Sequence, residues 1–325
     1  MNEELIDQIS NILSIDIHEE NIEKLHGDAS TRTYWRINTQ EGSWVISEEE
    51  PFTEETDFIN ISNYLSKHNI TVPKIIKTLP KQGIIILQDA GNVLLYRLAK
   101  DQPSKAQKQY DQIIDILIRL QTDLPKDNKC VAFKRAFDVD KWLWELEHTE
   151  NYFFNRLLKT KLSTAQTNTL RAGFKTISNT IDLTNLTFCH RDFHSRNILF
   201  YNETLYLIDF QDARLGPPLY DLISILRDCY ITLPQKTEQD LIARYKSKTK
   251  KPIPNFEEQY TITALQRHLK ACGTFAYQHI ERKNNFYLQF IQKTWQMILE
   301  ESKQIPNLTN FHTLLTNLKL PETIQ

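Results

Sequence analysis

The sequence predicts an α/β chain of the α+β kind, with a small antiparallel sheet in residues 1–90 and a mainly helical remainder over residues 91–325. Three observations lead there. Short apolar runs of strand length recur between turn signals up to about residue 88, helical periodicity takes over from about residue 104, and one strand–loop–strand hairpin interrupts the helices near residues 187–222. A chain of 325 residues with 40% hydrophobic content can bury a core in each of two lobes. A net charge of −2 gives no reason to expect nucleic acid or a membrane as partner. No apolar stretch approaches the roughly 20 residues of a membrane span. The start, Met1-Asn-Glu-Glu-Leu, is acidic where a signal peptide is basic. Cys130, Cys189, Cys229 and Cys272 form no C-x-x-C pair, so a reduced, cytoplasmic setting is expected, with a monomer as the simplest state.

In chain order, Leu5, Ile6, Ile9, Ile12 and Leu13 share one helical face over residues 1–14. Residues 22–26, 34–38 and 44–47 read as three antiparallel strands. Between the first two lies Gly27-Asp28-Ala29-Ser30-Thr31-Arg32, a small-residue loop whose N–H groups and hydroxyls suit phosphate oxygens, although a plain hairpin explains it as well. Residues 54–67 read as an acid-led helix with Phe58, Ile61 and Leu65 on its apolar side. Residues 72–79 and 84–87 complete five strands, with Gly42 and Gly83 as turns. Gln88-Asp89-Ala90-Gly91 leads into the second lobe, where Gln88 and Asp89 are candidate nucleotide contacts and Asp89 is equally a turn cap. Helices follow over 104–122, 138–158 and 164–181. The second carries Trp142, Trp144, Tyr152, Phe153 and Phe154 beside Glu145, Glu147 and Glu150. That stripe is either core or the aromatic and acidic wall of a sugar site. After Gly216-Pro217-Pro218 a helix begins at Asp221, and three or four amphipathic helices run from Leu241, broken near Pro252 and Pro306.

The hairpin carries the chemistry. Its loop reads His190-Arg191-Asp192-Phe193-His194-Ser195-Arg196-Asn197, and a later apolar run ends in Asp209-Phe210. This is the pattern H-R-D-x-x-x-x-N followed by an Asp-Phe turn. Phosphoryl transfer needs a positioned hydroxyl, metal ions and charge neutralisation rather than covalent help. Asp192 suits the role of proton acceptor, and Asn197 and Asp209 offer the hard oxygens that Mg²⁺ prefers. His190, at the end of a buried strand, reads as a packed residue that holds the loop. His194 faces either an acceptor or the aspartate, and Arg191 and Arg196 are structural partners or phosphate ligands.

The segment Asp209-Phe-Gln-Asp212-Ala-Arg-Leu-Gly-Pro-Pro-Leu-Tyr-Asp221 resembles the one after the catalytic loop in the aminoglycoside phosphotransferase family. Together with Gly27-Asp-Ala-Ser-Thr-Arg, the loop from His190 and the run from Asp221 to Pro234, it is most similar to the bacterial anomeric N-acetylmuramate/N-acetylglucosamine kinases of cell-wall recycling. The resemblance covers most of residues 20–235. It implies a protein-kinase-like two-lobed fold, ATP and Mg²⁺ as cofactors, an amino sugar phosphorylated at its anomeric oxygen, and an Asp221 that ties down the catalytic loop. His194, Arg196, Asp212 and Glu145 are the candidate acceptor contacts.

One departure stands out. Aligning Trp44-Val-Ile-Ser with the kinase pattern V-A-I-K puts Ser47 where a phosphate-gripping lysine belongs, and Glu55 loses its helix mate. That keeps a silent nucleotide-binding regulator as an alternative, beside an antibiotic or other small-molecule hydroxyl kinase. Charge separates the enzyme readings. From Leu241 onward twelve Lys/Arg face six acids, which suits a neutral or anionic acceptor better than a polycationic antibiotic.

Overall fold

Period-two alternation builds the first sheet. The structure, a computed structural model, describes residues 1, 3–25, 32–53, 55–159, 161–249, 252–321 and 324. After α1 (Glu3–Leu13) come β1 (Ile22–Leu25), β2 (Thr33–Asn38), β3 (Ser43–Glu48), α2 (Asp57–Lys67), β4 (Ile75–Leu79) and β5 (Ile84–Gln88). The strands form an antiparallel sheet in the order β1-β2-β3-β5-β4. Ile37, Ile46, Ile84 and Ile86 point to one face and pack with Leu5, Ile6 and Ile9 of α1. Ser47, one residue along β3 from Ile46, therefore lies on the other face and is buried there.

Several boundaries differ from the expected ones for local reasons, and the helix expected to start at Asp221 starts at Pro218, since proline suits a first helical turn. β4 begins at Ile75 instead of residue 72 because Pro73 has no N–H for a ladder. α2 begins at Asp57 because Thr56 is its cap, accepting from the Ile59 N–H. Glu55 thus lies outside the helix, where its carboxylate accepts from the side-chain amides of Asn60 and Asn63.

The remainder of the chain is dominated by helices: α3 (Leu95–Asp101), α4 (Pro103–Thr122), α5 (Val139–Thr149) and α6 (Thr164–Thr180). Next come β6 (Thr187–Cys189), the hairpin of β7 (Ile198–Tyr201) and β8 (Thr204–Leu207), and β9 (Arg214–Gly216), which pairs antiparallel with β6. α7 (Pro218–Leu226), α8 (Gln235–Lys248), α9 (Phe256–Ile280), α10 (Ile291–Lys303) and α11 (Thr309–Thr316) complete it. By internal contacts one unit comprises Met1–Val93 and Leu199–Gln211, and the other Leu94–Ile198 and Asp212–Gln325. The returning stretch is fastened within its unit by the Leu207 N–H on the Thr71 carbonyl, the Phe200 N–H on the Val93 carbonyl, and Phe210 stacked on Phe58 at 5.1 Å.

The core of the second unit answers the question raised by the aromatic stripe. Trp142, Phe153 and Phe154 are fully buried, with Trp142 stacked on Phe137 at 4.0 Å. Trp144 is 55% exposed and Tyr152 partly so. The stripe is split because Trp142 and Trp144 lie two residues apart on α5, about 200° around the helix, so one faces the core and the other does not; from Glu150 to Leu157 the chain continues as a π-helix. α9 runs through the middle, and Gly273 lets it approach α5. A Cβ there would lie 2.4 Å from Thr149 Oγ1 and 2.8 Å from Thr149 Cα. Gly273→Ala is therefore expected to destabilise the protein by about 1–3 kcal/mol. A urea midpoint equal to that of the wild type would show that α9 has room to shift.

Candidate active site

The loop between β6 and β7 is held from below by two aspartates. Asp221 of α7, buried, accepts the backbone N–H of His190 at 2.6 Å and that of Arg191 at 3.0 Å, with Cys189 Sγ at 3.3 Å. Asp228, just past α7, accepts the backbone N–H groups of Ser195 and Tyr230, both at 2.8 Å. Without these carboxylates the loop would bury orphaned donors. The clamp also holds Arg191 at φ +78°, a left-handed conformation that a non-glycine residue adopts at a cost of about 1–2 kcal/mol. His190 is buried as expected, its ring edge-on to Phe193 at 5.8 Å.

Asp192 sits at the turn. Its backbone carbonyl accepts from the His194 N–H at 3.0 Å and from Asn197 Nδ2 at 3.0 Å, which fixes the Asn197 amide. The Asp192 carboxylate pairs with Lys270 Nζ of α9 at 2.9 Å. Burial works against its ionisation, but Lys270 and then Arg191 outweigh that and hold the carboxyl well below the usual range. Asp192 is thus an anion at neutral pH.

His194 packs edge-on against Tyr230 at 5.1 Å. Burial first, then the nearby Arg267 charge, push its imidazole down to about 3. It is neutral at pH 7. Because the unfolded chain takes up a proton near 6.5 and the folded chain refuses it, stability is full above that pH. It falls as pH drops through the window from 6.5 to about 3, by at most about 1.4 kcal/mol per pH unit. Denaturant titrations between pH 7.5 and 5 should show the wild type losing stability faster than His194→Gln. Parallel curves would mean that the imidazole charges freely in the fold.

The other candidate contacts fall into place around the loop. Glu145 and Asp212 converge on Arg191, at 3.6 and 3.0 Å from its guanidinium, and Glu145 also accepts from Gln266 Nε2 at 2.9 Å. Glu145 is buried while Asp212 is half exposed. Arg196 lies 4.5–5.8 Å from the rings of Tyr96, Tyr230, Phe286 and Tyr287, a set of cation–π contacts that anchors the loop.

In the first unit, Asp209 is an exposed residue at φ +63°, and its Oδ1 accepts from Gln211 Nε2 at 2.7 Å. A strained backbone at an acidic residue is what metal-binding turns commonly show. Both Asp209 and Asn197 offer hard oxygen donors, so the donor chemistry fits Mg²⁺. Arg32 is paired with Glu49 at 2.7 Å and lies over the Phe58 ring. Asp89 behaves as the turn cap: it accepts from Arg36 Nε and Nη2, Ser43 Oγ and the Gly91 N–H. Gly91 itself is at φ +75°, where a Cβ would come 2.6 Å from the Tyr201 ring. Gln88 Nε2 donates to Tyr206 Oη at 3.3 Å. Gly27, Asp28, Ala29, Ser30 and Thr31 lie outside the described residues.

Lys270, Arg267 and Asp228 were missed by sequence reasoning. For the two cations a weak signal existed, since they stand beside apolar residues of α9 (Leu265, Leu269, Ala271, Cys272), although Gln266 and His268 flank Arg267. For Asp228 there was none beyond its place after a helix end.

The chain is similar to known proteins over most of its length. The family model described as "Phosphotransferase enzyme family" matches residues 21–258. An N-acetylmuramate/N-acetylglucosamine kinase of Neisseria meningitidis serogroup B is 26% identical over 311 residues, spanning 92% of this chain and 90% of that protein. The kinase of the same name from Pseudomonas aeruginosa is 26% identical over 305 residues, spanning 90% and 86%. Among solved structures, a spectinomycin phosphotransferase in complex with ADP and spectinomycin superposes with a TM-score of 0.62 at 17% identity, covering 99% of both chains. A choline kinase of Streptococcus pneumoniae gives 0.61 at 15% identity, covering 92% of this chain and 99% of that one. The fold is protein-kinase-like. With a family match spanning 238 of its 325 residues, the chain belongs to the phosphotransferase enzyme family.

Proposed function

We propose that the protein transfers the γ-phosphoryl group of ATP to the anomeric hydroxyl of N-acetylmuramate and N-acetylglucosamine. The observation that carries the reading is the setting of Asp192, which pairs with Lys270 and shares a pocket with Arg267, so that the two cations offset the carboxylates of Asp192 and Asp228 and leave no acidic wall. Aminoglycosides are polycations and would gain no attraction there. The relatives that carry the sugar kinase name match nearly the whole chain, which supports the same acceptor.

In this mechanism Asp192 accepts the proton of the anomeric hydroxyl as its oxygen bonds to phosphorus and the bond to ADP breaks. A carboxylate held strongly anionic is a weak base. It suffices because the loose transition state asks mainly for orientation, and because an anomeric hydroxyl is more acidic than an ordinary alcohol. Asn197 Oδ1 and the Asp209 carboxylate would hold Mg²⁺, which supplies charge neutralisation to the phosphates. Arg32, Gln88 and the segment Gly27–Thr31 are proposed to serve the nucleotide, Arg32 and the amides of that segment at the phosphates in place of a lysine at Ser47, while Asp89 caps the turn after Gln88. The exposed face of Trp144, with His148, Tyr152 and Tyr277 ranged beside it, offers a platform for a sugar ring. Arg196, Asp212 and Glu145 act on the acceptor through the loop that they hold.

The test is a product assay with labelled ATP and Mg²⁺. Both free sugars should give an alkali-stable, acid-labile sugar 1-phosphate, and their methyl glycosides should give none. Ready turnover of kanamycin-type compounds with inert sugars would make this an antibiotic kinase. No turnover of any acceptor would favour the regulator.

A further inference from the structure

Arg267 is a buried cation with no hydrogen-bonded partner among the described residues. It is 6% exposed and has no hydrogen bond or ion pair among the described residues, only the Tyr220 ring at 5.6 Å. A guanidinium presents five N–H donors, and burying it without a hydrogen-bonded acceptor is unfavourable, a cost that the charges of Asp192 and Asp228 offset only from a distance. The two nearest carboxylates are spoken for. Asp192 pairs with Lys270, and Asp228 accepts the Ser195 and Tyr230 N–H groups. Arg267, Lys270, Asp192, His194, Tyr230 and Thr274 line a cavity of about 70 Å³. That leaves room for a carboxylate, since by the same measure one water needs only about 10–15 Å³. His194 is uncharged, so within the lining Arg267 and Lys270 stand against Asp192 and Asp228, and Lys293, whose Nζ donates to the Asp228 carbonyl at 2.8 Å, adds a third cation outside the lining.

We propose that this cavity is a carboxylate subsite, in which Arg267 grips the acidic side arm of the acceptor while Lys270 bridges that arm and Asp192. The assignment rests on Asp192 being the base for a sugar hydroxyl. The guanidinium fork matches a carboxylate in two parallel hydrogen bonds. Of the two acceptors, N-acetylmuramate carries such an arm, a lactyl ether, and N-acetylglucosamine has a hydroxyl in its place. Arg267 therefore determines specificity between them.

The measurement is the ratio of kcat/KM for N-acetylmuramate to that for N-acetylglucosamine, which is insensitive to general damage. Arg267→Met should lower this ratio about 10–100-fold, the worth of a charge-assisted pair. Arg267→Lys, which keeps the charge but not the fork, should lower it severalfold and serves if the methionine variant does not fold. An unchanged ratio overturns the subsite, whether or not both rates fall together. An equal fall in kcat with both sugars would assign Arg267 to the transferred phosphoryl group. If the wild type turns over neither sugar, the proposed function fails on its own. The subsite is then decided by calorimetry: it survives only if the wild type binds N-acetylmuramate more tightly than N-acetylglucosamine and Arg267→Met loses that preference.

Discussion

Asp192→Asn is expected to leave nucleotide binding nearly intact and to lower turnover by about 10²–10⁴-fold, the range for loss of a general base. The amide fills the same space, and the backbone carbonyl that receives His194 and Asn197 is untouched, so the loop keeps its shape. Two things change. The acceptor proton has no anionic oxygen to go to, and Lys270 loses its counter-ion at 2.9 Å. The second effect lowers stability, so the comparison belongs at a temperature well below the variant's melting point. Single-turnover assays with saturating ATP separate chemistry from binding. Near-normal turnover would remove Asp192 from the mechanism.

Asp209→Asn should weaken Mg²⁺-dependent ATP binding as well as turnover. Even residues that merely support a metal ligand cost about 10–100-fold in metal affinity when replaced, and a direct ligand should cost at least that. Asparagine also relieves some strain at φ +63°, since it tolerates the left-handed region. The variant is therefore expected to be as stable as the wild type while failing to bind the nucleotide. Titration of ATP at fixed Mg²⁺, and of Mg²⁺ at fixed ATP, checks this. An unchanged metal dependence would mean that Asp209 is only a turn residue.

The catalytic loop was legible because its chemistry is local: an aspartate and an asparagine five apart, bracketed by strands, have few other uses. The five-stranded sheet was legible from alternation, and its order was not. The residues that surround Asp192 escaped for a geometric reason. Lys270 is 78 positions away in the chain, and only the packing of α9 brings it into contact. Glu55 looked like a helix residue until Thr56 took the cap, and Asp89 looked like a ligand contact until Arg36, 53 residues earlier, claimed it. Arg196 reads as a phosphate ligand by type. Its four ring neighbours come from three separate stretches, which no spacing rule connects.

The interrupted chain path of the first unit has a consequence for biosynthesis. Residues 1–93 leave the ribosome without the stretch Leu199–Gln211 that supplies Phe210 to Phe58 and N–H groups to the Thr71 and Val93 carbonyls. About a hundred residues separate the two parts, so at roughly 5–20 residues per second the nascent first part waits some 5–20 s for the stretch that completes its unit. During that interval those two carbonyls and the Phe58 ring lack the partners that the finished unit gives them. A nascent chain stalled before residue 199 should be cut by protease within residues 58–93 much faster than one stalled after residue 250. The N-terminal unit is thus a late product of translation, although its residues are made first.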